Sequence, residues 1–248
     1  MIEQAHKAKG PDYGIDAPGA LVLFLIIGVA FAVLGLGSMF TLKRSLASAL
    51  LVFPSLCVGC SFLLTAGTML WGSKVGKLRL RDKVLDEIPW RGEELVLDVG
   101  CGHGLMLIGA AHRLQSGKAV GIDVWRKQDQ AGNSQEETWR NIQVEKVQQK
   151  AEVHEADARK LPFPNGMFDI VLSSWALHNI YTKVGREAAV REIVRVLMPG
   201  GRVVIIDIRH TRQYAAVLRE AGMVNVCRSW PNFLFFTPSF TLTATKPS

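Results

Sequence analysis

The chain has 248 residues, 48% of them apolar, and 29 basic against 22 acidic residues give a formal net charge of +7. This length allows one α/β domain with an appendage or two small domains, and four cysteines are too few to indicate a disulfide framework. The basic excess clusters beside an apolar stretch, which argues against nucleic acid as a partner, and no cysteine or histidine spacing predicts a metal site.

The N-terminal part of the chain is predicted to be a membrane anchor. Residues 1–19 are polar and are expected to form a loose tail. Residues 20–42 and 45–73 carry no charged side chain, and each stretch exceeds the roughly 20 apolar residues that a membrane-spanning helix needs. Because the connection between them is so short, residues 20–73 are predicted to form a transmembrane helical hairpin.

The orientation of this hairpin follows from the basic residues that flank it. Five basic side chains follow within residues 74–83, against two in the connection, Lys43 and Arg44. The positive-inside rule therefore places both termini and the following domain in the cytosol. A cleaved signal peptide is the alternative, because Ala47-Ser48-Ala49 resembles a cleavage site, but the apolar region is far longer than such a peptide requires.

Residues 74–90 are predicted to be a basic, amphipathic juxtamembrane segment. Its basic residues are Lys74, Lys77, Arg79, Arg81 and Lys83. Such a segment is attracted to anionic lipid headgroups. Its apolar residues also suit an ordinary first helix that packs on the following domain, and one helix can do both.

Residues 91–248 alternate strands and helices in the pattern of a doubly wound, mostly parallel α/β sheet. The seven predicted strands are residues 95–99, 118–124, 151–156, 168–173, 203–208, 224–229 and 233–245. The predicted helices are residues 105–111, 138–149, 186–197 and 213–221.

A glycine-rich turn follows the first of these strands, with glycines at positions 100, 102 and 104 before an apolar helix. Such a turn lets the backbone approach a ligand closely, and the helix N-terminus beyond it offers free N–H groups. The dinucleotide fingerprint would require glycine where Leu105 stands, so the spacing disfavours a nicotinamide cofactor. The turn therefore predicts a different nucleotide-like ligand.

The second strand ends at Asp123, where an acidic side chain can accept both hydroxyl protons of a ribose. Capping of the next helix is the alternative role for this carboxylate. Trp125 follows it, and its ring is expected either to cover a purine face or simply to pack in the core.

Several motifs together resemble the class I S-adenosylmethionine (SAM) dependent methyltransferases. They are the Asp98-x-Gly-x-Gly-x-Gly turn, Asp157 after the third strand, Leu161-Pro-Phe163, Phe168-Asp169 opening the fourth strand, and Met198-Pro-Gly-Gly201 before the fifth. The resemblance covers about residues 87–246. It implies a Rossmann-like methyltransferase fold with SAM as the cofactor.

The resemblance also assigns parts of SAM to residues of this chain. Asp98 and the glycine turn would hold the methionine part, Asp123 the ribose, and Asp157 the adenine amino group. Ser173 or Ser174 would lie beside the sulfonium. The expected cofactor-binding residues are Asp98, Gly100, Cys101, Gly102, Gly104, Asp123, Val124, Asp157, Ala158 and Ser174.

The segment after the fourth strand is expected to face the acceptor. It lacks the Asn/Asp-Pro-Pro-aromatic motif and resembles the small-molecule branch of the family. His178 is the candidate general base, because a histidine titrates near neutrality and this one follows a strand end. A histidine bonded to neighbouring backbone is the alternative. The expected acceptor contacts are Trp175, Tyr181 and His210, and His103 is a weaker candidate base.

The sequence therefore predicts a membrane-anchored SAM-dependent methyltransferase that acts on a small hydrophobic or amphipathic acceptor. An enzyme gains local concentration from an anchor when its acceptor is dissolved in the membrane. The alternative is a SAM-binding module that regulates or scaffolds a membrane complex without turnover.

Overall fold

The computed structural model describes residues 10–41, 45–126 and 132–248. The chain begins with two long apolar helices, α1 (Pro18–Thr41) and α2 (Leu46–Trp71). Both are long and apolar enough to cross a membrane. Only 11% and 17% of their most apolar 18-residue stretches are buried by the rest of the chain. The predicted connection residues Lys43 and Arg44 lie outside the described ranges.

The two apolar helices pack against each other through glycines. A Cβ atom added to Gly28 would lie 2.8 Å from Leu63 Cγ, and one added to Gly35 would lie 2.7 Å from Leu56. Gly59 of α2 is equally close to the backbone of Ala32 in α1. Small residues therefore permit the close packing that is common between membrane helices.

A π-helical turn (Gly72–Gly76) joins α2 directly to α3 (Lys77–Asp86), so residues 74–90 do not form a separate surface helix. The apolar side of α3, including Leu80 and Leu85, is buried in the core of the following domain. This segment was expected to lie on the membrane surface or to pack on the domain. The structure shows that it packs on the domain, which removes from water the apolar area that a membrane surface would otherwise cover.

The predicted basic surface is correspondingly smaller than expected. Lys77 is only 3% exposed, and Arg81 pairs with Asp82 while mostly covered. Lys74, Arg79 and Lys83 remain exposed. The expectation that all five basic side chains face the membrane surface is therefore wrong, because the helix that carries most of them packs against the domain.

The domain contains a seven-stranded sheet in the order β3-β2-β1-β4-β5-β7-β6, parallel except for β7, which is antiparallel to both of its neighbours. Its strands are β1 (Leu95–Val99), β2 (Lys118–Asp123), β3 (Ala151–Glu155), β4 (Phe168–Ser174), β5 (Leu197–Asp207), β6 (Val224–Arg228) and β7 (Phe240–Thr245). Its other helices are α4 (Leu105–Ala111), α5 (Gln135–Val144), α6 (Lys183–Val196) and α7 (Thr211–Glu220). The predicted seven-stranded, mostly parallel sheet is confirmed.

The last predicted strand is too long at its start. Residues 233–239 belong to a loop between β6 and β7, which an isolated bridge between Asn232 and Ser239 holds together. Pro238 has no N–H to donate to a ladder, so a regular strand begins only after it.

The N-terminal segment before α1 packs on the domain where a loose tail was expected. We call residues 10–16 the strap. Tyr13 is buried in the core cluster beside α3 and α4, and Asp12 exchanges hydrogen bonds of 2.9 Å with the Asn141 amide. The expectation is therefore wrong for the strap, while residues 1–9 lie outside the described ranges.

Candidate functional site

A cavity of about 280 Å³ lies at the carboxyl ends of β1, β2 and β4. Doubly wound sheets bind their ligands at this edge. Eleven of the residues selected from the sequence line it: Gly100, Cys101, Gly102, His103, Asp123, Val124, Asp157, Ala158, Ser174, Trp175 and Tyr181. The topology thus brings together residues that lie far apart along the chain.

The glycine turn forms the floor of the cavity. Gly100 has φ +75°, and a Cβ atom added there would overlap the Cβ of Ala176. Gly104 has φ +86° and directly precedes α4. A side chain at Gly100 would thus meet both backbone strain and a steric clash, so glycine is required at this position.

Asp98 lies beneath this turn and is buried. Its Oδ2 atom accepts a 2.9 Å hydrogen bond from the Leu107 N–H, while its Oδ1 atom has no partner among the described residues. Burial raises the pKa of Asp98 to about 7, opposed by the Leu107 N–H and reinforced by the charge of Asp123. Neither Asp98 nor Gly104 lines the cavity itself. The unused oxygen of Asp98 lies beneath the glycine turn, where its charge would favour a cationic ligand bound above that turn.

Asp123, at the end of β2, is held by backbone donors. Its carboxylate accepts hydrogen bonds from the Gly102 N–H at 2.8 Å and from the Trp125 N–H at 2.7 Å. These contacts fix the side chain at the cavity wall. The Trp125 ring packs in the core, near Thr138, and does not line the cavity, which decides between the two expected roles of that residue.

Asp157 lies at the cavity wall but is engaged by its own neighbour. Arg159 Nε lies 3.0 Å from both carboxylate oxygens, and this hydrogen bonding lowers the pKa of Asp157. Both residues line the cavity beside the Ala158 backbone. Any contact of Asp157 with an adenine amino group would therefore be shared with Arg159.

The end of β4 distinguishes the two serines. Ser173 is buried and donates a 2.8 Å hydrogen bond to the Val99 carbonyl, whereas Ser174 lines the cavity. Trp175 follows with φ +49°, and its ring packs at 4.7 Å from the ring of Phe235. Tyr181 lies at the cavity mouth and is 83% exposed.

His178 points away from this cavity. Its Nδ1 atom lies 2.6 Å from Asp207 Oδ1, though not aligned for N–H donation, and its backbone N–H donates to Asp207 Oδ2 at 3.1 Å. Neither His178 nor His210 lines the cavity, and His210 is exposed at the start of α7. The expectation that Trp175 and His178 line one pocket is wrong, because Trp175 has a left-handed φ of +49° and lies outside the 3₁₀ turn that contains His178, so the two are not in helical register.

Three lining residues come from the two ends of the apolar hairpin, and sequence reasoning did not find them: Tyr13, Asp16 and Lys77. Lys77 Nζ donates to the Tyr13 carbonyl at 2.7 Å, to the Gly14 carbonyl at 2.9 Å and to Asp16 Oδ2 at 3.0 Å. Burial lowers the pKa of Lys77, against the attraction of Asp16. A lysine in a basic, membrane-adjacent run gave no signal of this role.

His103 connects the strap to the glycine turn. Its Nδ1 atom lies 3.0 Å from the Asp12 carbonyl, and the Asn141 amide donates to the carbonyls of both His103 and Asp12. The buried Nε2 atom has no hydrogen-bond partner among the described residues, and the side chain lines the cavity. The strap is thereby fixed over the same turn that forms the cavity floor.

Comparison with known proteins finds a family match for part of this chain. Residues 97–205 match the family described as "Methyltransferase domain". The chain is 33% identical over 129 residues to 27-O-demethylrifamycin SV methyltransferase of Amycolatopsis mediterranei, covering 52% of this chain and 44% of that protein. It is 32% identical over 119 residues to demethylmenaquinone methyltransferase of Symbiobacterium thermophilum, covering 48% and 44%.

The fold is also found in a crystal structure of a SAM-dependent methyltransferase from Aquifex aeolicus. That structure superposes with a TM-score of 0.54 at 21% identity and covers 69% of this chain and 93% of that one. The chain spans less than half of the length of the two relatives above. The buried Asp98, the glycine floor and the fixed Asp123 fit a cofactor with a cationic end and a ribose. Residues 97–205 therefore match a methyltransferase domain, the sheet that carries them has the class I methyltransferase fold, and the similarity supports SAM as the cofactor.

Proposed function

We propose that this protein is a membrane-anchored methyltransferase that transfers the methyl group of SAM to a small hydrophobic or amphipathic acceptor. The observation that carries the proposal is the position of the hairpin ends. Asp16 lies two residues before α1, Lys77 is the first residue of α3, and both line the cavity of the methyltransferase domain. A cavity walled by both ends of an apolar hairpin would open close to a membrane surface.

The two apolar helices support the anchor. A core helix of a soluble protein is mostly buried, whereas most of the apolar stretch of α1 and of α2 is not covered by any other part of the chain. Large apolar side chains such as Ile26, Val33 and Phe53 are more than half exposed along them. In water this surface would be costly, and a bilayer removes the cost. By the positive-inside rule, both termini and the domain lie in the cytosol.

The cavity's composition supports an apolar acceptor. Beyond the cofactor residues, Trp175, Leu177 and Ile180 contribute an apolar wall, with Tyr181 at the mouth. Two relatives are named for small-molecule acceptors, 27-O-demethylrifamycin SV and demethylmenaquinone. The proposed acceptor class is therefore a lipid-soluble small molecule.

Methyl transfer needs little more than alignment when the methyl group is already activated. SAM, when bound, supplies that group on its sulfonium. The residues expected to hold it are Asp98, the glycine turn, Asp123 and the Asp157–Ala158 segment. Holding acceptor and methyl carbon in line can be worth effective molarities of ~10⁵ M or more. The acceptor–carbon bond forms as the carbon–sulfur bond breaks, and any acceptor proton leaves to a base or to solvent.

The test is to supply methyl-labelled SAM to membranes with and without the protein and to identify the labelled product. Membranes that contain the Asp123→Ala variant are the matched control. A labelled lipid-soluble product that depends on the wild-type protein supports the proposal. SAM binding without any labelled product would favour a regulatory or scaffold module instead.

The anchor is tested separately by the accessibility of terminal tags. Tags at both termini should be accessible from the cytosolic face of sealed membranes. Extraction of the protein by carbonate, without detergent, would contradict integral anchoring. Tags accessible only from the opposite face would contradict the orientation.

A further inference from the structure

The loop between β6 and β7, residues 229–239, connects the cavity to the end of the hairpin. We call it the aromatic loop. β7 begins with Phe240 opposite Asp207 at the end of β5, so the loop lies at the same sheet edge as the cavity. Hydrogen bonds of 2.8 and 2.9 Å between Asn232 and Ser239 hold it in one conformation.

One side of the aromatic loop packs against the cavity wall. The Trp175 indole N–H donates a 2.9 Å hydrogen bond to Ser239 Oγ, and the ring of Phe235 packs on the same indole. Trp175 lines the cavity, while Phe235 is nearly buried. The loop therefore lies directly behind the wall that faces the expected acceptor.

The other side of the loop packs against the turn that follows α2. A Cβ atom added to Gly76 would overlap the Leu234 carbonyl oxygen, and one added to Gly72 would lie 2.8 Å from the Phe236 nitrogen. Gly72 directly follows Trp71, the last residue of α2. The loop is thus at the level where the second apolar helix ends.

The loop exposes large aromatic side chains at that level. Trp230 is 91% exposed and Phe233 is 70% exposed, and Phe236 is also exposed. Trp71, the last residue of α2, is half-exposed, and the guanidinium carbon of Arg79 lies 5.7 Å from the centroid of the Trp71 ring. Tryptophan next to basic side chains at the end of an apolar helix is typical of the headgroup region of a bilayer.

We infer that the aromatic loop is a membrane-contact surface, which inserts Trp230 and Phe233 into the headgroup region beside α2 and turns the cavity mouth towards the bilayer. This rests on the proposed function, because it takes the hairpin to lie in the membrane. In addition to the hairpin, a loop of the methyltransferase domain itself then enters the membrane–water interface. The exposed aromatic side chains belong to the same loop whose Leu234 and Phe236 pack against the turn after α2, which favours lipid over a protein partner as their occupant.

Quenching by brominated lipid tests the inference on the full chain. The protein is reconstituted into phosphatidylcholine vesicles whose acyl chains carry bromine near the headgroup, and into unbrominated vesicles. The emission of each tryptophan is the difference between the wild type and a Trp→Phe variant. Trp230→Phe reports the loop, Trp71→Phe reports the end of α2, and Trp139→Phe reports α5, which packs on β3 at the opposite edge of the sheet.

The expected result is loss of most of the Trp230 and Trp71 emission in brominated vesicles, with the Trp139 emission unchanged. Quenching of Trp71 without quenching of Trp230 overturns the inference and leaves the anchor intact. Quenching of neither overturns the anchor and the inference together. Equal quenching of Trp139 overturns the inference, because the contact would not be specific to the loop.

A second measurement connects the loop to the reaction. In membranes, the W230S/F233S variant should form several-fold less labelled product than the wild type, while its SAM affinity is unchanged. Supplying the same membrane's lipid extract in detergent micelles should remove the difference, because the acceptor then no longer enters from a bilayer. A defect that persists equally in micelles would overturn the role of membrane contact.

Discussion

Two parts of the cavity wall are assembled from different parts of the chain. We call the residues that are proposed to hold SAM the cofactor side, and the rest of the wall, with the segments packed behind it, the acceptor side. On the cofactor side, Asp98, the glycine turn and Asp123 come from β1, β2 and the turn after β1, and Asp157 and Ser174 are added at the ends of the neighbouring strands β3 and β4. On the acceptor side, the strap, Lys77, Trp175 and the aromatic loop come from four segments spread over most of the sequence.

The two sides also differ in what holds them in place. The cofactor side depends on backbone N–H groups and glycine φ angles, which parallel strand pairing fixes locally. The acceptor side depends on long-range side-chain contacts, such as Lys77 to the strap and Trp175 to Phe235. Changes on the first side should therefore act on SAM affinity, and changes on the second on closure and acceptor access.

Gly100→Ala should have the largest effect, on the cofactor side. A left-handed φ costs an L-residue about 1–2 kcal/mol, and overpacking adds about 1–3 kcal/mol. Both costs fall on the folded protein, so its free energy of unfolding should fall by these amounts, and SAM affinity, measured by calorimetry, should fall because the turn must move to relieve the overlap with Ala176. Gly222→Ala is the matched control, because Gly222 has φ +80° but no neighbour within 4 Å of an added Cβ. Wild-type affinity in Gly100→Ala would contradict the close approach.

Lys77→Met tests the acceptor side. It removes three hydrogen bonds from a buried ammonium group, and a hydrogen bond to a charged group is worth about 1.5–3 kcal/mol. Amide hydrogen exchange in residues 10–16 should accelerate. Lys74→Met is the control, because its pair with Asp12 is about half exposed and such pairs contribute about 0–1 kcal/mol. A strap that stays equally protected in Lys77→Met would show that other contacts hold it.

Asp123→Ala should weaken SAM binding by roughly 1–3 kcal/mol, the scale of a lost buried hydrogen bond. Asp123→Asn keeps one acceptor oxygen for the Gly102 or Trp125 N–H and should lose less. Calorimetry on the detergent-solubilised protein measures both. Unchanged affinity in Asp123→Ala would remove this carboxylate from the cofactor site.

The raised pKa of Asp98 predicts a pH dependence of SAM binding. A cationic group beside this carboxyl favours its ionised form, so binding should release a proton and tighten as the pH rises through about 7. One released proton corresponds to at most about tenfold per pH unit. Calorimetry in buffers of different ionisation enthalpy measures the proton, and Asp98→Asn should not release it.

The raised pKa of Asp98 also predicts how the unfolding free energy of the SAM-free protein changes with pH. The pKa of Asp98 is raised from 3.8 to about 7, so its contribution is fully present below about 4 and is lost as the pH rises through about 7. Denaturant unfolding of Asp98→Asn should lack this loss. An identical pH slope in both proteins would show that Asp98 ionises normally.

His178→Ala should have the smallest effect on turnover. A general base contributes typically 10²–10⁴-fold, but this ring lies against Asp207 and not at the cavity. Formation of labelled product should stay within a few-fold of the wild type, while the unfolding free energy falls because the buried Asp207 carboxylate loses the imidazole beside it and keeps only its other hydrogen bonds. A loss on the hundredfold scale with unchanged stability would restore His178 as a base.

The sequence by itself determined most of the cofactor side. Strand ends of a parallel sheet meet at one edge, so Gly100, Asp123, Asp157 and Ser174 were placed by chain order alone. The two apolar helices and the mostly parallel, seven-stranded sheet were likewise predicted from apolar runs and the Gly and Pro residues between them. These are local patterns, since each depends on neighbours within a few residues and on the period of the backbone.

Only the tertiary structure decided the acceptor side. The burial of Lys77, the turning of His178 away from the cavity, and the packing of Phe235 on Trp175 each depend on contacts between segments that are distant in sequence. A basic run, a histidine after a strand and a phenylalanine-rich segment each allow several orientations of equal local energy. The packing of α3, the strap and the aromatic loop against the domain selects one of these orientations. The reason is that contacts with distant segments, and not the local sequence, determine which side chains are buried and which face the cavity.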